Sequence, residues 1–325
     1  MMNKILKDTR GVVLLLVLSI IALFTVMAVN FGADEGLDIE LAYNFRDSVQ
    51  AQDIARSGVE AAITILKKDD PSYDSDDEDW GGFPEYALAA SEYLKGPAFT
   101  GTITDESGKF DLNGLALGEK KDQDFRMAQF KRLFEVLGID ISSGELDELA
   151  EAVKDWVDED DETISDAEND YYQTLDDPYE CKNGPMDSPE EILLVKGMKP
   201  EYYYGKENTK GIRDYVTVGT GGKINVNTAS DVVLMSLSDS VDEALAETIK
   251  AKRPFKQPSS NWAQTLGISA TTEEAAALQN KIIDIKSNVF SANMRGTMPS
   301  GAQINIKAVL NRVNNDVKIV YYRIY

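Results

Sequence analysis

The chain has 325 residues, enough for one large domain or two ordinary ones, and its 43% hydrophobic and 27% charged content is that of a globular protein. Its 33 basic and 56 acidic side chains give a formal net charge of −23, which repels nucleic-acid phosphates and anionic lipid and suits divalent cations, basic partners or simple solubility. With no histidine and a single cysteine, Cys181, the chain excludes Ser-His-Asp and Cys-His nucleophiles and any internal disulfide.

Lys4, Lys7 and Arg10 precede Gly11, and Val12 to Phe31 follow without an ionisable side chain. Twenty helical residues reach roughly 30 Å, the thickness of a bilayer core. Positive charge before this run, and Asp34 and Glu35 after it, predict a cytoplasmic N-terminus and an exported body. A cleaved secretory signal has a shorter apolar core and a small-x-small site at its far end. Here the run is long, and Asn30 and Asp34 interrupt such a site. Two readings remain: a plain signal anchor, or a segment processed ahead of the apolar run, between Gly11 and Val12.

Beyond the apolar run a helix is predicted over 41–68. Leu41, Phe45, Val49, Ile54, Val59, Ile63 and Leu66 recur near helical spacing, and Ala51, Ala55, Ala61 and Ala62 allow close packing. Gly32 and Gly36 are candidate bends. Asp69-Asp70-Pro71 ends the helix and opens an acidic loop over 69–79, where a solvated loop outweighs a cation site. Residues 97–112 read as a hairpin: a strand around 99–103, a turn at Glu106-Ser107-Gly108, and a return through Phe110 and Leu112. From 122 to 200 the pattern is helical, with a stop at Gly138, a Ser-x-x-Glu start at Ser142, and a further segment from Ser188 to Gly197. Strand character returns at 214–227, and helices resume to about 283. The C-terminus reads as a three-stranded meander turning at Pro299-Ser300-Gly301 and Asn314-Asn315-Asp316.

The basic leader, Gly11 and the apolar helix resemble the class III signal of type IV pilins and pseudopilins. The resemblance implies cleavage after Gly11 by a prepilin peptidase and N-methylation of Val12, where most members have Phe. Most members also carry Glu at mature position five, thought to pair with a neighbour's N-terminal amine in the fibre. That position is Leu16 here, and absence of the Glu is typical of the K subunit of type II secretion systems. Further stretches are similar to this GspK family: 76–80 (DDEDW), 108–113 (GKFDLN), 155–160 (DWVDED) with 167–172 (AENDYY), 188–198 (SPEEILLVKGM) and 223–229 (KINVNTA). Their order covers most of the chain.

The resemblance implies an α+β fold: a pilin-like long N-terminal helix on an antiparallel sheet, with a large, mostly helical inserted domain. The expected divisions are a leader at 1–11, a transmembrane and fibre-core helix at 12–31, and a body at 32–112 and 287–325. The insertion, with helix-hairpin-helix-like repeats, would span 113–286. It further implies a non-enzymatic minor pseudopilin at the tip of a periplasmic fibre, anchored once in the inner membrane. Implied partners are the I, J and H minor pseudopilins, the major pseudopilin, the prepilin peptidase and inner-membrane lipid, with no nucleic acid.

The chemically most distinctive stretch is the carboxylate-rich run at 155–170. Such density needs solvent or a hard cation. An EF-hand counted from Asp158 fits at Asp160 and Glu162. It fails at Thr163, where Gly is needed, and at Asn169, where Glu is needed. The family resemblance implies structural Ca²⁺ in this domain, held by an irregular acidic loop. Asp158, Asp160, Glu162, Glu168 and Asp187 are the expected ligands. Mg²⁺ prefers a more hydrated shell, and Zn²⁺ lacks its usual donors here.

Residues 223–253 also resemble a helix-hairpin-helix module. Their hairpin, 236–243, has no glycine and is acidic, which favours a packing unit over a phosphate site. The alternative function is a membrane-anchored extracytoplasmic binding domain, such as a helix-hairpin-helix DNA-uptake receptor. A carboxylate-based hydrolase lacks a recognisable acid–base pairing.

Overall fold

The computed structural model describes residues 9–94, 96–159, 169–314 and 316–325. Its first element, α1 (Thr9–Lys68), is one helix that runs unbroken through Gly32 and Gly36. The apolar residues from Val12 to Phe31 are exposed, and this is the one described helix long and apolar enough to cross a membrane. Farther along, Ala51, Ala55, Val59, Ala62 and Leu66 form the buried stripe, at steps of three and four residues. Leu41, Phe45 and Val49, predicted on the same apolar pattern, are exposed instead. The packing face therefore mixes alanines with Val59 and Leu66, with Ile54 and Ile63 at its margin.

Small residues let helix and sheet approach closely. A Cβ on Gly296 would collide with the Ala51 carbonyl, and one on Gly58 would strike the Phe99 ring. After α1 come α2 (Phe83–Leu94) and β1 (Ala98–Asp105). β1 then pairs antiparallel with β8 (Val289–Thr297), its neighbour in space but not in sequence. β9 (Gln303–Val313) and β10 (Asp316–Ile324) complete a four-stranded sheet of order β1-β8-β9-β10. The predicted C-terminal meander is present with both turns where the sequence placed them. A bulge interrupts β10 between Ile319 and Tyr321.

The hairpin expected over 97–112 does not form. The turn chemistry is present, since Asp105 caps a 3₁₀ turn at Glu106–Gly108 by accepting from the Ser107 amide at 2.7 Å. That turn leads away from the sheet. Phe110 and Leu112 join a second core, and β1 takes its partner from the far end of the insertion.

The insertion is mostly helical and held by short ladders. β2 (Phe110–Asp111) is followed by α3 (Lys120–Leu137), α4 (Ser143–Val157), α5 (Asn169–Tyr172) and α6 (Pro200–Tyr204). Next are β3 (Gly205–Lys206), β4 (Thr209–Lys210), β5 (Val216–Thr217) and β6 (Ile224–Asn225). Then follow α7 (Asp231–Ser236), α8 (Glu243–Ala251), α9 (Trp262–Leu266), α10 (Thr272–Ala277) and β7 (Ile283–Asp284). The Ser142 capping box predicted at α4 is formed, with Ser142 accepting from the Glu145 amide. The 188–197 segment is a 3₁₀ helix at Pro189–Leu194 rather than an α-helix.

Two hydrophobic cores divide the molecule. One joins α1, α2 and the four-stranded sheet; the other fills the insertion from Phe110 to Ile285. Core membership changes between Ile103 and Phe110, and again between Ile285 and Phe290. The sequence reading put these boundaries at 113 and 287.

Candidate functional site

The two cores meet at a buried polar junction. Asp105, at the end of β1, accepts from the Thr228 hydroxyl (2.6 Å), the Ser287 hydroxyl (2.6 Å) and the Asn225 amide (2.9 Å). Asn225 also donates to the Asp74 carbonyl at 3.0 Å. Asp74 accepts from the Ser287 amide at 2.7 Å and pairs with Arg312. The Arg312 guanidinium also reaches Asp69 at 2.8 Å and lies 5.0 Å over the Phe290 ring. A short stretch after α1, two strands of the sheet and two insertion segments thus share one network. Removing any one polar partner leaves a buried group unsatisfied.

Burial pushes the Asp74 carboxyl up to about 6, against the attraction of Arg312. It raises Asp105 too, despite the donors around it. Glu78 rises to about 7 through burial and the nearby Asp69 and Asp74 charges. Burial also acts on Glu106, but Lys109, 2.9 Å away, outweighs it and holds that carboxyl below its usual range. Oxygens of Asp69, Asp74 and Glu78 lie within 4.8 Å of one another. Arg312 already engages two of the three. A cation of the chain itself thus sits among these carboxylates.

A second joint uses the glycine run after β5. Gly219, Gly221 and Gly222 have φ of +78, +84 and +73, which turns successive amides inward. Asp111 fills that nest. It accepts from the amides of Gly219 (3.2 Å), Thr220 (2.9 Å) and Gly222 (3.1 Å), and from the Asn113 amide at 3.0 Å. An internal carboxylate thus occupies the anion-binding concavity that these amides form.

Of the expected metal ligands, Asp160, Glu162 and Glu168 lie outside the described residues. Asp158 caps the C-terminus of α4, its amide donating to the Lys154 carbonyl at 3.0 Å. Asp187 is exposed and pairs with Lys182 at 2.7 Å. The Gly184 amide donates to the Trp156 carbonyl at 3.2 Å, so the 182–187 loop runs beside the end of α4. The carboxylate-only donor set suits Ca²⁺. Gly11, Val12 and Leu16 lie on the exposed apolar half of α1. The 236–243 hairpin tucks in Leu237 and Val241, which fits a packing unit.

The motifs singled out in the sequence are largely joints. Asn225 and Thr228 belong to the 223–229 stretch, Asp111 to 108–113 and Glu78 to 76–80. Arg312 and Asp105 were missed. Period-two alternation over Ile306, Ala308, Leu310 and Arg312 was the available signal, since it puts Arg312 on the inward face.

An apolar-then-amphipathic helix laid on an antiparallel sheet, with a helical domain let in between two neighbouring strands, defines a pilin-like fold with an insertion. Residues 108–207 match the family model for protein K of the type II secretion system. The type II secretion system protein K of Aeromonas hydrophila is 26% identical over 304 residues, covering 87% of each chain. The Klebsiella pneumoniae protein K is 28% identical over 207 residues, covering 60% of each. In fold the chain resembles one from the crystal structure of the GspK-GspI-GspJ complex of the enterotoxigenic Escherichia coli type II secretion system. The TM-score is 0.67 at 18% identity, over 87% of this chain and 99% of that one. The chain is thus similar to type II secretion system protein K over most of its length, and residues 108–207 match that family's model.

Proposed function

We propose that this chain caps the tip of the periplasmic pseudopilus and helps start its assembly. The observation behind this is the combination of Leu16 with a large insertion on a pilin-like body. A carboxylate inside a bilayer is costly unless paired. A subunit with nothing ahead of it has no amine to pair with, and the insertion's bulk would obstruct a subunit stacked above it. α1 would sit in the inner membrane and then pack into the fibre core, with the rest of the chain in the periplasm.

The partners on this reading are the I- and J-type minor pseudopilins, then the H-type and the major pseudopilin, with a prepilin peptidase cleaving after Gly11. A solved relative in fold was crystallised with GspI and GspJ, which supports the first pair. We also propose a structural Ca²⁺ held by Asp158, Asp160, Glu162 and Glu168, with Asp187 approaching from the adjacent loop. Division of the chain at about 106 and 288, where core membership changes, makes the insertion a unit between β1 and β8.

The deciding experiment co-expresses the full chain with the I- and J-type subunits and a prepilin peptidase of its own system. A complex containing one copy of this chain with methylated Val12 as its N-terminus is expected. A chain that keeps Met1 and purifies alone would overturn the reading in favour of a simple anchored domain.

A further inference from the structure

The two edges of the sheet are treated differently. At β1, the Phe99 N–H and C=O point outward, and the Ser91 hydroxyl of α2 bonds both at 2.6 Å. That edge is covered. At β10, Tyr325 exchanges two 3.0 Å backbone bonds with Asn305, so Tyr325 faces β9. Alternation then turns the N–H and C=O of Tyr322 and Ile324 outward. Their side chains, with Ile319, Val320, Tyr321 and Tyr325, are 40–61% exposed. An open edge with exposed apolar side chains is a template for strand addition.

The charges beside this edge run against the rest of the molecule. Ile306, Ala308 and Leu310 are buried against α1, so Asn305, Lys307 and Val309 point to the other face of the sheet. There Arg323 stands directly opposite Lys307, and Arg295 opposite Asn305, with Lys318 farther along β10. Like charges directly across a ladder repel. None of these four cations has an ion-pair partner among the described residues, although the chain carries 56 acidic side chains. Asp316, at the far end of the strand, is engaged by Lys67.

We propose that the β10 edge is a docking strand for a neighbouring pseudopilin, which adds an extended, carboxylate-bearing segment beside Tyr322–Ile324, within reach of Lys318 and Arg323. This deepens the partner reading above and rests on it. A second copy of the chain does not fit, because edge-to-edge pairing would bring Lys318 and Arg323 against their own counterparts. Anionic lipid fits poorly as well. Asp47, which bonds Ser300 at the near end of the sheet, lies 16 helical residues beyond Phe31. A straight helix puts that end roughly 24 Å past the apolar run, beyond the ~8–10 Å range of screened charge.

The test uses the full chain in detergent micelles, co-expressed with the I- and J-type subunits of its own system. A photoreactive residue replaces Tyr322 or, as a control, Leu88, which is 61% exposed on α2. Cross-links to one of those subunits are expected from position 322 and not from 88. The double variant Lys318→Glu, Arg323→Glu is expected to reduce the co-purified partner at least tenfold with an unchanged melting temperature, and raised salt should weaken the unmodified complex. A complex that forms normally, ignores the charge reversal and cross-links nowhere on β10 overturns the docking strand while leaving the partner reading intact. Adducts to a second copy or to phospholipid alone also overturn it. No complex with the unmodified chain removes both.

Discussion

Arg312 shows what one buried cation holds together. Its guanidinium joins Asp69 and Asp74 and donates to the Ser287 carbonyl at 3.0 Å. Arg312→Ala would leave two buried carboxylates without their cation, and the expected loss is about 3–5 kcal/mol. Arg312→Lys, a point charge without the planar fork, should recover only part of it. Equilibrium denaturation of the three proteins measures this; equal stability of all three would show that Arg312 is dispensable. The same site sets a pH dependence. Asp74 titrates near 6 and Glu78 near 7, above their unfolded values of 3.8 and 4.5. Groups raised in the folded state contribute stability that is complete below the unfolded value and lost as pH rises through the folded one. Glu106, held low, works the other way and loses its contribution in acid. The melting temperature should therefore fall by several degrees between pH 5 and pH 8. Glu78→Gln, which keeps an oxygen for the Ser75 amide and the Trp80 indole, should flatten that slope. A melting temperature that rises across this window would contradict the assignment.

Among elements, those set by local pattern were readable and those set by distant partners were not. Helices α3 and α4 follow their periodicity and caps, and the C-terminal meander follows its two turns. The first strand pair failed because β1's partner lies across the whole insertion, and a turn signal cannot say where the chain goes next. The 214–227 stretch showed strand-like residues but supplies only the two-residue strands β5 and β6, because its glycine run folds around Asp111. In α1 the predicted Val59 and Leu66 are buried against the sheet, whereas Leu41, Phe45 and Val49 stay exposed and the closest approach is made by alanines and Gly58. That close approach is testable. Gly296→Ala puts a methyl against the Ala51 backbone carbonyl, which a side-chain rotation cannot relieve. A loss of roughly 1–3 kcal/mol is expected. Gly144→Ala, in a helix with open space around it, should be neutral or slightly stabilising. Similar melting for both variants would show that helix and sheet separate more easily than their packing implies.

At the scale of the whole molecule, charge and architecture act together. The net charge of −23 must be tolerated by an insertion whose densest acidic stretch follows α4. The 182–187 loop, with its carboxylate Asp187, runs beside the end of that helix, where Asp158 and Glu159 follow. Bound Ca²⁺ would relieve their repulsion and tie the two segments together. A ligand that binds only the folded state stabilises it by RT ln(1 + [L]/Kd), about 2.7 kcal/mol at a hundredfold excess over Kd. Metal-stripped protein should therefore melt several degrees higher on addition of millimolar Ca²⁺, with a smaller effect from Mg²⁺, which keeps more of its water. Asp158→Asn combined with Asp160→Asn should remove most of the Ca²⁺ shift while leaving the metal-free melting temperature unchanged or raised, since repulsion is also reduced. If the Ca²⁺ shift survives this double change, the ion binds elsewhere; if stripped protein shows no shift at all, the acidic stretch is held by solvent alone. Because the tip role rests on the bulk of the insertion, the same titration bears on assembly. Loss of Ca²⁺ should loosen this domain while the four-stranded sheet and α1, which have their own core, stay folded.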